Sequence, residues 1–265
     1  HHRLVGSEMC IRDRFNSDRL NRPFRGGTAI GAAFELFFSR IGLFLAVAAI
    51  SYLPYLLSEP GVELLIHAIE PSNTEAVAGV FVGLFEMVIG GLMTGFVTYI
   101  VVMQVNGSPS SIGRALSQVA RKILWIVLAS VLVSIPIVIG FVLLVLPGLM
   151  VMVVLWVTIP AVVSERLGPL AAMKRSHELT RGHRWSILGV VLVFLLLLIG
   201  VGVAFQYAFL PLGVMAGYPV VTSHIIGAFN NLAYIFGSIA AAYGYVHLKM
   251  EKEGTSVSEL VKMFE

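Results

Sequence analysis

The chain has 265 residues, of which 57% are hydrophobic and 12% charged, with a formal net charge of +3. Soluble domains run at about 45–50% and 25% on those measures, so a water-soluble globular fold is excluded, and one cysteine cannot build a disulfide framework. The modest positive charge does not point to nucleic acid either, because the basic residues flank apolar runs and form no patch interleaved with aromatics.

In chain order, the first segment is LVGSEMCIRDR, Leu4 to Arg14. It resembles a translated transposon adapter of the kind used in sequencing libraries. Residues 1–14 are therefore expected to be an artefact outside the fold, with the natural chain joining near Phe15 and Cys10 discounted. Residues 15–27 read as a disordered basic leader, 28–247 as a membrane domain and 248–265 as a short cytoplasmic tail.

The membrane domain carries six apolar runs, near 41–57, 77–103, 123–146, 148–163, 185–209 and 224–247. A bilayer core needs about 20 such residues per helix. The predicted fold class is all-α and polytopic, with six transmembrane helices and amphipathic helices at the cytoplasmic surface. All eighteen Lys and Arg fall before the first run, between the second and third, between the fourth and fifth, or after the sixth. The first loop on the other side holds Glu59, Glu63, Glu70 and Glu75 instead. Positive charge stays on the cytoplasmic side, so both termini are expected there.

An amphipathic segment precedes each odd-numbered run. Thr28 to Arg40 places Ile30, Ala33, Phe34 and Phe37 at helical spacing; Ser110 to Lys122 does the same with Ile112, Ala115, Leu116 and Val119. In Glu165 to Trp185, Lys174, Arg175, Glu178 and Arg181 share one arc, opposite Ala172, Met173, Ser176 and Leu179. Such helices lie in the interface, basic face toward the headgroups. Each begins near an apolar–Gly pair (Ile30-Gly31, Ile112-Gly113, Leu167-Gly168), which suggests a threefold unit of interfacial helix plus hairpin. Pro147-Gly148 in LPGL is expected to form the tightest hairpin turn.

Several polar residues are candidates for chemistry. Glu86 is an acidic residue inside an apolar run, as proton relays and ion sites are. The alternative, favoured by Gly79, Gly83, Gly91 and Gly95 in the same run, is a Glu hydrogen-bonded among closely packed helices. Asn230, Asn231 and Gln206 suit interhelical hydrogen bonds or a substrate path. Glu63, His67 and Glu70 share a helical face, which fits a solvated surface better than a metal site. His177 and His183 flank basic residues and would sit at headgroup level. No nucleophile elbow, HExxH or phosphate loop occurs, and nothing in the sequence calls for a cofactor or metal.

The stretch LVLPGLMVMVVLWVTIPAVVSERLGPLAAMKRSHELTRGHRW carries a resemblance. Through Pro147, Gly148, Pro160, Glu165, Gly168, Pro169, Ala172, Arg175, Ser176, Leu179, Thr180, Gly182 and Trp185 it is similar to the membrane domain found in certain bacterial glycerophosphoryl diester phosphodiesterases and in standalone multi-pass proteins. The resemblance implies an all-helical domain of a bacterial inner membrane. It does not imply the hydrolase activity, which belongs to a separate barrel in the two-part relatives, and only sixteen residues follow Lys249 here. Physically, Pro160 should kink or end the fourth run, and Gly168-Pro169 should start a helix that Gly182 ends. Trp185 should anchor the next run.

Three functions remain. The first is a non-catalytic protein that binds or organises anionic phospholipid through Lys174, Arg175, Arg181 and His177. The second is a transporter or channel using Glu86 and the amides, and the third a membrane scaffold with a protein partner.

Overall fold

The computed structural model describes residues 23–53, 74–108, 110–165, 167–215, 217–262 and 264. The described residues are helical, with no strand among them. The adapter-like segment and the Glu63, His67 and Glu70 face lie outside them.

Helix α1 (Gly26–Ser39) meets α2 (Ile41–Leu53) at 92°. The long α3 (Thr74–Val105) follows, then α4 (Ile112–Arg121), α5 (Ile123–Leu143), α6 (Val145–Val154), α7 (Thr158–Glu165) and α8 (Pro169–Thr180). Two long helices, α9 (Arg184–Met215) and α10 (Pro219–Glu253), precede the short α11 (Val257–Lys262). Five segments are long and apolar enough to cross a bilayer, or six if the bent pair α1–α2 counts as one. The chain is an all-α polytopic membrane protein. The expected fourth span is α6 plus α7; of the expected first span, 41–57, the described part is α2, which is long enough to cross only if joined with α1.

Burial picks out the centre. The spanning part of α3 is 72% buried, against 22% for α5 and 18% for α9. Helix α3 runs against α10, α5 and α7, while α9 and α5 turn apolar sides outward, as lipid-facing helices do. Close approach to α3 uses some of the expected glycines. A Cβ at Gly91 would lie 1.9 Å from Ser130 Oγ, and one at Gly95 would lie 3.1 Å from Val163. Gly83 faces open space, so it has no packing role among the described residues. Small polar groups also join α3 to α10: Thr94 Oγ1 lies 3.1 Å from Ser238 Oγ and 3.3 Å from the Tyr234 hydroxyl.

Two expectations are corrected. The hairpin between α5 and α6 turns at Leu144, which is extended (φ −167°, ψ 156°), and not at Pro147-Gly148. Pro147 sits in the first turn of α6, where its absent N–H is not needed. Gly148 is there for proximity, since a Cβ on it would meet the Phe141 ring at 2.5 Å. Second, the leader does not stay loose to residue 27. Phe24 is buried, its N–H donates to Glu251 Oε2 at 3.0 Å, and Gly26 and Gly27 already belong to α1. The tail, 248–265, has structure of its own. Helix α10 continues to Glu253, and α11 opens with a capping box in which Ser256 N–H donates to Glu259 Oε2 and Glu259 N–H donates to Ser256 Oγ.

Candidate functional site: the basic end of the bundle

The Lys- and Arg-bearing ends of the helices come together at one end. Pro160 explains why α8 can enter there. Lacking an N–H, it cannot bond back to the Trp156 carbonyl, and the fourth span breaks at 155–157, leaving Pro160 in the first turn of α7. A broken helix at membrane depth leaves backbone groups without partners, which is costly. Two side chains of α8 supply them. Ser176 Oγ donates to Val154 O at 2.8 Å and accepts from Val157 N at 3.3 Å; Thr180 Oγ1 lies 3.4 Å from Val154 O. The Trp156 ring, displaced by the break, packs where Gly244 leaves room for it.

Helix α8 begins and ends as its sequence predicts. Gly168 is extended at the N-cap, Pro169 is the first helical residue, and Gly182 follows the end at φ +92°. Ala172, Ser176 and Leu179 of the expected apolar face are buried, as is Thr180. Lys252 Nζ donates to the carbonyls of Glu178 and Arg181, each at 2.6 Å, and so closes the helix's C-terminal end. Trp185 is 81% exposed at the start of α9, where an interfacial anchor belongs.

The arc predicted to meet headgroups is divided by its partners. Arg175 turns inward. Its Nε lies 2.9 Å from Glu165 Oε2, and its guanidinium also pairs with Glu253. Glu165 accepts further bonds from Lys249 Nζ at 2.6 Å and the Tyr245 hydroxyl at 2.8 Å. Lys249 Nζ is also 3.9 Å from Glu253 Oε2. Two carboxylates and two cations thus neutralise one another at the junction of α7, α8 and α10. Burial alone would lower the Arg175 pKa, but its hydrogen bonds to Glu165 and Glu253 outweigh that and hold it above the usual value. Lys249, whose side chain is only 4% exposed, was missed as a site residue. Its signal is Tyr245, Lys249 and Glu253 spaced four apart on one face at the end of an apolar run.

Lys174 and Arg181 remain exposed and make no side-chain ion pair among the described residues. His177 lies 3.3 Å from the Arg184 guanidinium, and His183 Nε2 is 3.4 Å from Glu251 Oε1. Helix α4 behaves differently from α8. Of its expected apolar face, Ala115 and Val119 are buried against the bundle, while Ile112 and Leu116 are exposed. Arg114 and Arg121 project from its polar side, also without an ion pair among the described residues.

The transport candidates sit on three helices, Glu86 on α3, Gln206 on α9, and Asn230 and Asn231 on α10. Glu86 is exposed on α3, nine residues inside the expected run 77–103, and its carboxylate makes no hydrogen bond among the described residues. Asn231 bridges to α2, donating to Ala48 O at 2.9 Å and Ser51 Oγ at 2.8 Å. Asn230 lies against Gly202 of α9, and Gln206, one turn further along α9, is exposed. No cluster of three or more His, Cys, Asp or Glu suited to a metal occurs among the described residues.

Compared with known proteins, the chain matches no family model, no curated protein and no solved structure.

Proposed function

We propose that this is a non-catalytic protein of a bacterial inner membrane that binds anionic phospholipid at its basic end, with that end facing the cytoplasm. The observation that carries this reading is a division of labour among cations. Arg175 and Lys249 are cancelled by carboxylates, whereas Lys174, Arg181, Arg114 and Arg121 stand exposed on two surface helices without such cancellation among the described residues. Cations at headgroup level attract anionic lipid at about 1 kcal/mol each. The positive-inside distribution of all eighteen Lys and Arg supports the orientation, and the resemblance around Pro147 to Trp185 supports the bacterial setting.

Native mass spectrometry of the protein released from nanodiscs of phosphatidylcholine and phosphatidylglycerol tests this reading. Selective retention of phosphatidylglycerol is expected; retention in proportion to the bulk mixture would overturn it. Arg175 does not belong in the accompanying substitution, because its loss would disturb folding before it disturbed lipid. The transporter reading has less support, since Glu86 and Gln206 are exposed and Asn231 is engaged by Ala48 O and Ser51 Oγ.

A further inference from the structure

Under α4 lies a cleft of about 400 Å³, within the rough 300–1,000 Å³ range of ligand pockets. One wall is polar, formed by Arg114, Ser117 and Arg121 of α4 with Ser108 from the preceding turn. The floor is apolar, with Tyr99 from α3 and Phe264 beyond α11. Phe264 is fixed there by two contacts: its ring meets Tyr99 edge-on at 5.4 Å, and its carbonyl accepts from Gln118 Nε2. The cleft exists because α11 folds back on α3, so it is a product of tertiary packing and not of α4 alone.

Its chemistry is specific in sign and shape. Arg114 and Arg121 are seven residues apart, two turns on one helical face with about 10.5 Å of rise between them. Ser117 falls on the turn between. No carboxylate lines the cleft among the described residues, and Glu259 on α11 is occupied in its capping box. Two forked guanidinium donors flanking a hydroxyl suit a phosphate oxygen cluster better than a carboxylate or a cation. The apolar floor suits the carbon body attached to that phosphate.

We infer that this cleft binds the phosphate of one anionic phospholipid headgroup, held between Arg114 and Arg121 with Ser117 as a further donor and the glycerol side resting on Tyr99 and Phe264. The inference rests on the lipid-binding reading above and names the site within it.

The test measures phosphatidylglycerol retained per protein from mixed nanodiscs. Arg114→Ala/Arg121→Ala should lose about tenfold of the bound lipid. Ser117→Asp, which adds a repelling charge at an exposed position and removes no packing, should lose a comparable amount. Lys174→Ala/Arg181→Ala should leave the tightly held lipid in place. If the Lys174/Arg181 variant loses it and both cleft variants keep it, the cleft is wrong and the general lipid reading stands. If the wild type retains only bulk-proportion lipid, both fail. A second arm adds inorganic phosphate to detergent-solubilised protein. Binding of free phosphate at that cleft with no lipid retained from nanodiscs would overturn the lipid as occupant.

Discussion

Helices α4 and α8 look alike in sequence, each a short amphipathic stretch bearing two or more cations beside a spanning helix, yet the bundle uses them in opposite ways. Helix α8 is drawn in. Its small polar residues close the break in the fourth span, and its central arginine completes a neutral network. Helix α4 stays on the surface, anchored by Ala115 and Val119, with Leu116 still 61% exposed. The difference is set by what each helix meets. A broken helix offers unpaired backbone groups that reward Ser and Thr, whereas beside the continuous α3 Val119 makes an ordinary apolar contact near Gly95, which Val163 and Ile126 approach more closely. Charge near a membrane surface is therefore a poor guide to function until its partners are known.

The contrast can be broken by substitution, beginning with the largest effect. Glu165→Ala leaves Arg175 and the buried Lys249 facing each other without their shared carboxylate, and should destabilise the protein by about 3 kcal/mol. Thermal unfolding in detergent checks this, and Glu165→Gln, which keeps an acceptor, should fall between it and wild type. Ser176→Ala strands Val157 N and leaves Val154 O only its longer contact with Thr180 Oγ1, and should cost about 1–2 kcal/mol in the same assay. Its counterpart on α4, Ser117→Ala, is exposed and should stay within about 0.5 kcal/mol of wild type. The smallest effect belongs to Lys174→Ala/Arg181→Ala, also within about 0.5 kcal/mol in unfolding, with a modest fall in loosely associated anionic lipid seen by native mass spectrometry.

The sequence made the spans and the helical faces legible because apolar length and 3.6-residue spacing are local properties. It located α8 within its Gly168-Pro169 start and Gly182 end, and placed Ala172, Ser176 and Leu179 inward, where they are buried. What escaped was pairing between distant elements. Arg175 sits on an arc with Lys174 and Arg181, so from sequence the three look equivalent; only the packing of α10 brings Glu253 to it, 78 residues away. The cleft was invisible for the same reason, since Phe264 reaches Gln118 across 146 residues.

Local signals also misled where two physical uses of one residue compete. Pro147-Gly148 fits a tight turn by composition. The chain instead uses the proline in a helix's first turn and the glycine for closeness to Phe141. Glu86 fits an ion site by hydropathy, but it is exposed on α3 with no hydrogen-bond partner for its carboxylate among the described residues.

The most direct measurement sets the two helices against each other: native mass spectrometry of Arg175→Ala and Arg114→Ala/Arg121→Ala, released side by side from phosphatidylcholine–phosphatidylglycerol nanodiscs under a ramp of activation energy. The account predicts that Arg175→Ala unfolds early with its phosphatidylglycerol still bound, while the α4 variant arrives intact and lipid-free. An Arg175 variant that stays folded but sheds its lipid, beside an α4 variant that keeps it, would contradict the account.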